Sequence, residues 1–214
     1  MPNRANVYVD GLNFYYGIKA LRHTGLLWID LVGVIKDQIQ PPEILHRIKY
    51  FNTTPTDNPQ KMARHKKWLK VLSCLSFPVE TFEGRYSYPK WQCSFCHNPL
   101  VCRNCNKPFN KPSEKRTDVN IAVHLMCDAF NDDFDIAYII SRDADFIPAL
   151  EAVKRYHSQK KIVVIIPPGR FLHEIAQKCD GIRQLKLRHL IPHRLDNPFI
   201  TASGMKIYMP KEWN

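Results

Sequence analysis

The chain reads as an α/β protein with a mostly parallel sheet covered by helices on both faces. Three features predict this. Strand-like and helix-like segments alternate along most of the 214 residues, the pattern of successive strand–helix units. Two strands, at 136–140 and 162–166, are apolar nearly throughout, as strands covered on both faces are. Hydrophobic residues make up 44% of the chain, enough for a sizeable core without crosslinks.

The elements follow in order. ANVYV (5–9) reads as a buried strand ending in Asp10-Gly11, and a helical pattern runs from Leu12 to about His23. Asp30 is placed to cap the helix LVGVIKDQI, and Pro41-Pro42 ends that unit. ILHRIKYFNT (44–53) is a second strand. From Asn58 to about Ser76 a helix is predicted, with Met62, His65, Leu69 and Leu72 on one face. Its cations Lys61, Arg64, Lys67 and Lys70 form either a solvated face or part of a phosphate-binding surface. PVETFEGRY (78–86) is a third strand. After an irregular stretch come helix DVNIAVHLMCDAF, strand FDIAYIIS, helix DFIPALEAVKRYH, strand KIVVIIP, helix RFLHEIAQKC and short strand GIRQL. Residues 1–190 are expected to form the main domain. The tail 191–214, with Phe199, Tyr208 and Trp213, is expected to dock on it. It either covers the site, pairs with another subunit in a homo-oligomer, or only packs on the core.

Lys and Arg total 31 against 20 Asp and Glu, a net charge of +11 and a pI near 9.4. That surplus attracts polyanions, nucleic acid first among them. No apolar run reaches the ~18 residues of a membrane span. MPNRANVYVD lacks the apolar region of a secretory signal. The expectation is a soluble, cytoplasmic protein with no membrane partner.

Of seven cysteines, four fall in CSFCHNPLVCRNC, spaced Cys93-x2-Cys96-x5-Cys102-x2-Cys105. Each C-x-x-C is a tight turn aiming two thiolates at one point. Four thiolates suit structural Zn²⁺, with an iron–sulfur or redox pair as the alternative. A closed four-thiolate site leaves no open position for catalysis, so its role is to fold the inserted loop 87–114. That loop is basic, with Lys90, Arg103, Lys107, Lys111, Lys115 and Arg116 in or beside it. Trp91 and Phe109 either stack on single-stranded bases or pack a small zinc core, and Phe95 is expected to pack. Cys74, Cys127 and Cys179 sit in apolar contexts and are expected in the core.

Asp10, Asp143 and Asp145 each follow an apolar strand, and Asp118 opens the helix DVNIAV. In a parallel sheet the strands' carboxyl ends share one edge, where sites lie. Each aspartate taken alone has a structural reading: a turn residue, a helix cap, a dipole partner. Together at ~4 Å and an effective dielectric of ~20, each like-charged pair would cost about 4 kcal/mol. A hard divalent cation, Mg²⁺ or Mn²⁺, removes that cost. Asp180, in KCDGI, reads as a helix-end residue.

VYVDGLNFYYG, KRTDVNIAVHLMCDAF and YIISRDADFIPALEAVKRY, in that order, resemble the NYN domain of the PIN-like nuclease superfamily, in particular its LabA-like branch, over roughly residues 4–186. The resemblance implies a Rossmann-like sheet and an acidic cluster that binds Mg²⁺ or Mn²⁺ and hydrolyses RNA phosphodiesters. Asp10, Asp118, Asp143 and Asp145 match the acidic positions, Asn13 the polar position after the first strand, and Ser141 the small hydroxyl residue opening the third motif. Where many members carry Gly or Ser this chain has Arg142, which either adjusts substrate access or sets a cation beside the metal.

The residues then suggest roles. Asp10 and Asp143 are expected as direct ligands, Asp118 and Asp145 as ligands directly or through water. Asn13 and Ser141 would hold a phosphate oxygen or a water. Lys115 and Arg116 either contact substrate phosphates or are exposed loop charges. The leading expectation is a metal-dependent endoribonuclease. The alternatives are an inactive or regulatory RNA-binding module and a structure-specific DNase.

Overall fold

The computed structural model of the chain describes residues 3–89, 91–107, 113–169 and 173–214. Its centre is a six-stranded sheet built from β1 (Asn3–Asp10), β2 (Glu43–Asn52), β3 (Val79–Glu83), β6 (Ile136–Ile140), β7 (Lys161–Ile166) and β8 (Gly181–Gln184), in the order β3-β2-β1-β6-β7-β8. Every neighbouring pair is parallel. The strand order reverses between β1 and β6, so the carboxyl ends of these two strands flank the crevice where ligands of such sheets bind.

Alternation along the strands sorts the core onto two faces. Val7 and Val9 enter one cluster and Tyr8 the other. Tyr138 and Ile140 face the first, Ala137 and Ile139 the second. On the first face lie α1 (Gly11–Ala20), α2 (Leu31–Lys36) and α3 (Pro59–Leu72), with the short α7 (Leu187–Leu190). On the second lie α4 (Thr117–Phe130), α5 (Ile147–Tyr156) and the short α6 (His173–Ala176). The predicted fold class is therefore the observed one.

Several helices start where side chains supply their orphan N–H groups an acceptor. Asp10 caps α1, Asp30 caps α2 and Asn58 caps α3. On α3 the fully buried positions are Trp68, Val71 and Leu72, so the stripe is anchored by a tryptophan the sequence reading passed over. Asp145 does not cap α5; Phe146 holds that position.

PVETFEGRY is not one strand. The sheet strand ends at Glu83, Gly84 donates its N–H to Asn52 at 2.7 Å, and the chain leaves the sheet. A side chain at Gly84 would lie 2.5–2.8 Å from atoms of Thr53, Thr117 and Glu114. Beyond it, β4 (Arg85–Ser87) pairs antiparallel with β5 (Ser113–Lys115), a stem that closes the inserted loop at its base. Lys90, Phe109 and Lys111, and Arg170–Leu172 of the predicted helix 170–179, lie outside the described residues.

Of the three scattered cysteines expected in the core, Cys127 is exposed and Cys74 half-buried, while the half-buried Cys179 packs at the margin of the second core cluster. Phe95 is 92% exposed, so it packs no core in this loop. The tail runs back across the first face through β9 (Phe199–Ile200) and β10 (Lys206–Ile207) and ends with Trp213 buried against Tyr15, Trp28 and Trp68. Among the described residues no helix is long and apolar enough to cross a membrane.

Candidate metal centre and its surroundings

The end of β1 delivers Asp10 to the crevice, almost fully buried. Its Oδ1 accepts from the Asn13 N–H at 2.9 Å, and its Oδ2 accepts from the Asn13 amide and from Ser141 Oγ at 2.9 Å. Burial pushes this carboxyl above its ordinary range, and these hydrogen bonds pull it partly back. Asp10 thus ties the start of α1 to the end of β6.

From Ser141 the chain runs through a relay of short contacts. Ser141 Oγ accepts from the Asp143 N–H at 3.1 Å, and Asp143 Oδ1 accepts from the Asp145 N–H at 3.1 Å. Two carboxylates are thereby held on one turn at the rim. Asp118 joins them from the first turn of α4, where the helix dipole also favours a negative charge. Oxygen atoms of Asp118, Asp143 and Asp145 lie within 4.8 Å of one another.

Asp118 is half-buried, and its pKa is pushed up to about 7, first by burial and then by the charges of Asp143, Asp10, Glu114 and Asp145. A site that drives one carboxyl to hold its proton at neutral pH is electrostatically short of positive charge. Three converging oxygen donors are the set that a hard divalent cation takes. The residues present therefore fit Mg²⁺ or Mn²⁺, and the donor set alone does not choose between them. Asp10 stands just outside this trio, close enough that its charge is felt by Asp118.

Other predicted residues surround the centre. Arg142 Nε donates to Asn13 Oδ1 at 3.3 Å, and its guanidinium occupies the place a side chain on Gly169 would take. Lys115 and Arg116 are exposed at the top of the stem, Arg116 in a left-handed conformation (φ 82°) that turns the chain into α4. Asp180 accepts from Ile162 N–H and from Lys154, a structural role.

Glu114, Thr117 and Thr53 were not singled out from the sequence. Glu114 accepts from Thr53 Oγ at 3.1 Å, from the Thr117 hydroxyl and from the Thr117 N–H at 3.1 Å. This small network fastens the stem to the end of β2 and places Asp118 next to it. The Glu114–Thr117 half is local, three residues apart, but the link to Thr53 joins segments some sixty residues apart and shows only in the fold.

The two C-x-x-C turns have the same backbone. Cys93 C=O accepts from His97 N–H and Cys93 N–H donates to Asn98; Cys102 C=O accepts from Asn106 N–H and Cys102 N–H donates to Lys107. His97 and Asn106 take the same left-handed conformation, φ 57° and 54°. Backbone N–H groups of Cys96 and Phe95 lower the Cys93 thiol pKa, and those of Asn104 and Cys105 lower that of Cys102. Each turn thus eases the ionisation of its first thiol. Among the described residues, the only ligand set drawn within 4.8 Å is the carboxylate trio, so the two cysteine pairs stand apart.

Residues 4–186 match the NYN domain. The chain is 30% identical to the 6-hydroxy-3-succinoylpyridine 3-monooxygenase HspA of Pseudomonas putida, an alignment covering 78% of this chain and 60% of that protein. In structure it is similar to VPA0982, a protein of unknown function from Vibrio parahaemolyticus, with a TM-score of 0.58 and 16% identity over 86% of this chain and 94% of the other. At that identity the likeness concerns the fold.

Proposed function

Because the chain belongs to the NYN domain family, whose members are typically nucleases, we propose that it is a divalent-metal-dependent endoribonuclease. The observation that carries this reading is the Asp118–Asp143–Asp145 trio at the point where the strand order reverses. Bound there, Mg²⁺ or Mn²⁺ supplies a Lewis acid for a phosphodiester oxygen and makes a water more acidic. Asp118, Asp143 and Asp145 hold the ion. Asp10 orients Asn13 and Ser141, adds negative charge behind the trio, and is itself a further candidate ligand. Asn13 and Arg142 face the phosphate, and Lys115 and Arg116 draw the RNA backbone to the rim. Ser141, expected to hold a phosphate oxygen, is fully buried and bonded to Asp10 and the Asp143 N–H, so it positions carboxylates instead. The +11 net charge favours a polyanionic substrate. The monooxygenase activity named for the Pseudomonas relative belongs to a protein of which the alignment covers 60%. The carboxylate trio is what favours phosphodiester hydrolysis here.

Cleavage of matched labelled RNA and DNA oligonucleotides with EDTA, Mg²⁺ and Mn²⁺ tests the reading, beside an Asp143→Ala protein checked for folding. The expected result is metal-dependent RNA cleavage. Its loss in the variant should exceed the ~10–100-fold effect of groups that merely support a metal ligand. RNA affinity should be kept or raised, since a negative charge is gone. A folded wild-type protein that binds RNA without cutting it under any condition points to an RNA-binding module. Preference for DNA points to the DNase alternative.

The same reading assigns structural Zn²⁺ to Cys93, Cys96, Cys102 and Cys105, in a LabA-like chain with a zinc knuckle in its inserted loop. The two matching turns support it, and zinc would close one on the other. One zinc per chain is expected by metal analysis. Its removal should open the loop 88–112 to proteolysis while the sheet's circular dichroism is kept; a chain purified without zinc and equally protected would refute the assignment.

A further inference from the structure

A cavity of about 370 Å³ opens at the same carboxyl edge of the sheet as the carboxylate centre, at the ends of β1 and β2, within the ~300–1,000 Å³ typical of small-molecule sites. Its floor is Gly11, next to Asp10, and Tyr50, Asn52 and Thr53 at the end of β2. Thr53 Oγ lies 3.2 Å from the hydroxyl of Thr117, which precedes Asp118, so one contact links the cavity lining to the segment that carries a member of the trio. The walls are aromatic: Tyr15 and Tyr16 of α1, Trp68 of α3, Tyr86 of the stem and Trp213 of the tail. Trp213 lies outside residues 4–186, so the tail completes a pocket that the NYN domain alone leaves open.

Several polar groups in this cavity keep an unspent valence among the described residues, the buried Trp213 Nε1 among them; two more lie on and beside its floor. Trp68 Nε1 donates to Tyr50 Oη at 3.1 Å, which leaves the Tyr50 hydroxyl proton without an acceptor among the described residues. Asn52 Nδ2 donates to Phe82 C=O, so Asn52 Oδ1 is the acceptor 2.8 Å from His65 Nε2. His65 therefore carries its proton on Nε2, and its Nδ1 lone pair has no donor among the described residues. Burial lowers the pKa of this ring and keeps it neutral. Between aromatic walls the cavity thus offers the Tyr50 hydroxyl as a donor and His65 Nδ1 as an acceptor. Among its lining residues Lys61 pairs with Asp57 and Arg64 with Glu212, while the Lys19 ammonium lies over the Tyr15 ring.

We propose that this cavity is a base-binding subsite. One nucleobase of a single-stranded RNA enters between the aromatic walls, its polar edge meets Tyr50 Oη and His65 Nδ1, and the adjoining phosphodiester lies at the Asp118–Asp143–Asp145 trio. The assignment rests on the ribonuclease reading for its substrate. Unstacked bases are held in this manner, by stacking on aromatic side chains and hydrogen bonds to their edges. Lys19, without an ion-pair partner among the described residues, suits the sugar–phosphate that follows the base.

The test separates binding from cleavage. The full chain, in EDTA, is titrated with each of the four ribonucleoside monophosphates, with ribose phosphate lacking a base, and with a hydroxypyridine carboxylate. Tryptophan fluorescence reports on Trp68 and Trp213. Saturable quenching by nucleotides but not by ribose phosphate is expected. It should weaken about five- to tenfold in His65→Leu, the loss of one hydrogen bond, and also in Tyr16→Ala. Tyr16 is an exposed part of the wall, so that variant decides the matter if His65→Leu does not fold. Nucleotides binding no better than ribose phosphate, or less well than the hydroxypyridine, overturn the proposal even if RNA is cleaved. Nucleotide binding that both variants weaken, in a protein that cuts no RNA, upholds the subsite and sinks the nuclease reading instead.

Discussion

Asp118 holds a proton up to about pH 7 because it is half-buried among other carboxylates. Its folded pKa is raised above the unfolded value. The stability it contributes is therefore complete at pH below the ordinary carboxylate range and is lost as pH rises through about 7. A divalent cation competes with that proton. Raising pH from about 6 to about 8 should enlarge the upward shift in Tm produced by Mg²⁺ or Mn²⁺. A shift independent of pH would mean that the ion is held elsewhere. Asp10 differs in kind, since each of its oxygens already accepts a hydrogen bond. Nothing in the local sequence distinguishes Asp10 from Asp143: each aspartate ends an apolar strand region. Asn13 reaches Asp10 locally, as a cap contact three residues on, whereas Ser141 is brought to it only by the pairing of β1 with β6.

At the scale of elements, α4 is anchored to the sheet by a charge pair. Lys49 of β2 and Asp128 of α4 are both buried, with Lys49 Nζ 2.6 Å from Asp128 Oδ2, and Tyr8 Oη donates to the same oxygen at 2.6 Å. Two charges removed from water survive there because each satisfies the other and the tyrosine completes the set. Lys49→Met would leave Asp128 uncompensated. A loss of ~3–5 kcal/mol is expected, read as a lower urea midpoint; an unchanged midpoint would show that the pair does not anchor the helix. Since α4 carries Asp118 at its other end, metal affinity should fall as well. The break at Gly84 belongs to this scale too. PVETFEGRY alternates like a single strand, and alternation carries no information about which sheet a strand joins. Crowding by Thr53, Thr117 and Glu114 makes the glycine necessary and frees Arg85–Ser87 to pair with Ser113–Lys115.

Over the whole molecule, the positive surplus should make RNA binding strongly salt-dependent. If ~4 phosphates are contacted, log K should fall against log salt with a slope near −3 for a single strand. A slope close to zero, measured by anisotropy with the metal held constant, would leave the +11 charge without a part in substrate binding. The tail closes the first face by bringing Trp213 onto Tyr15, Trp28 and Trp68, and in doing so forms one wall of the cavity.

The sequence by itself determined the α/β class, because burial on both faces leaves apolar strands and helical stripes that can be read residue by residue. It also determined which carboxylates could meet, because parallel strands end on a common edge. The tertiary structure decided which three of them converge, how the stem returns the inserted loop to Asp118, and that an aromatic cavity opens at the same edge of the sheet. Those outcomes depend on contacts between segments far apart in the chain, such as Thr53 with Thr117 or Trp68 with Trp213. Local periodicity records the environment of a side chain, not the identity of its distant neighbour.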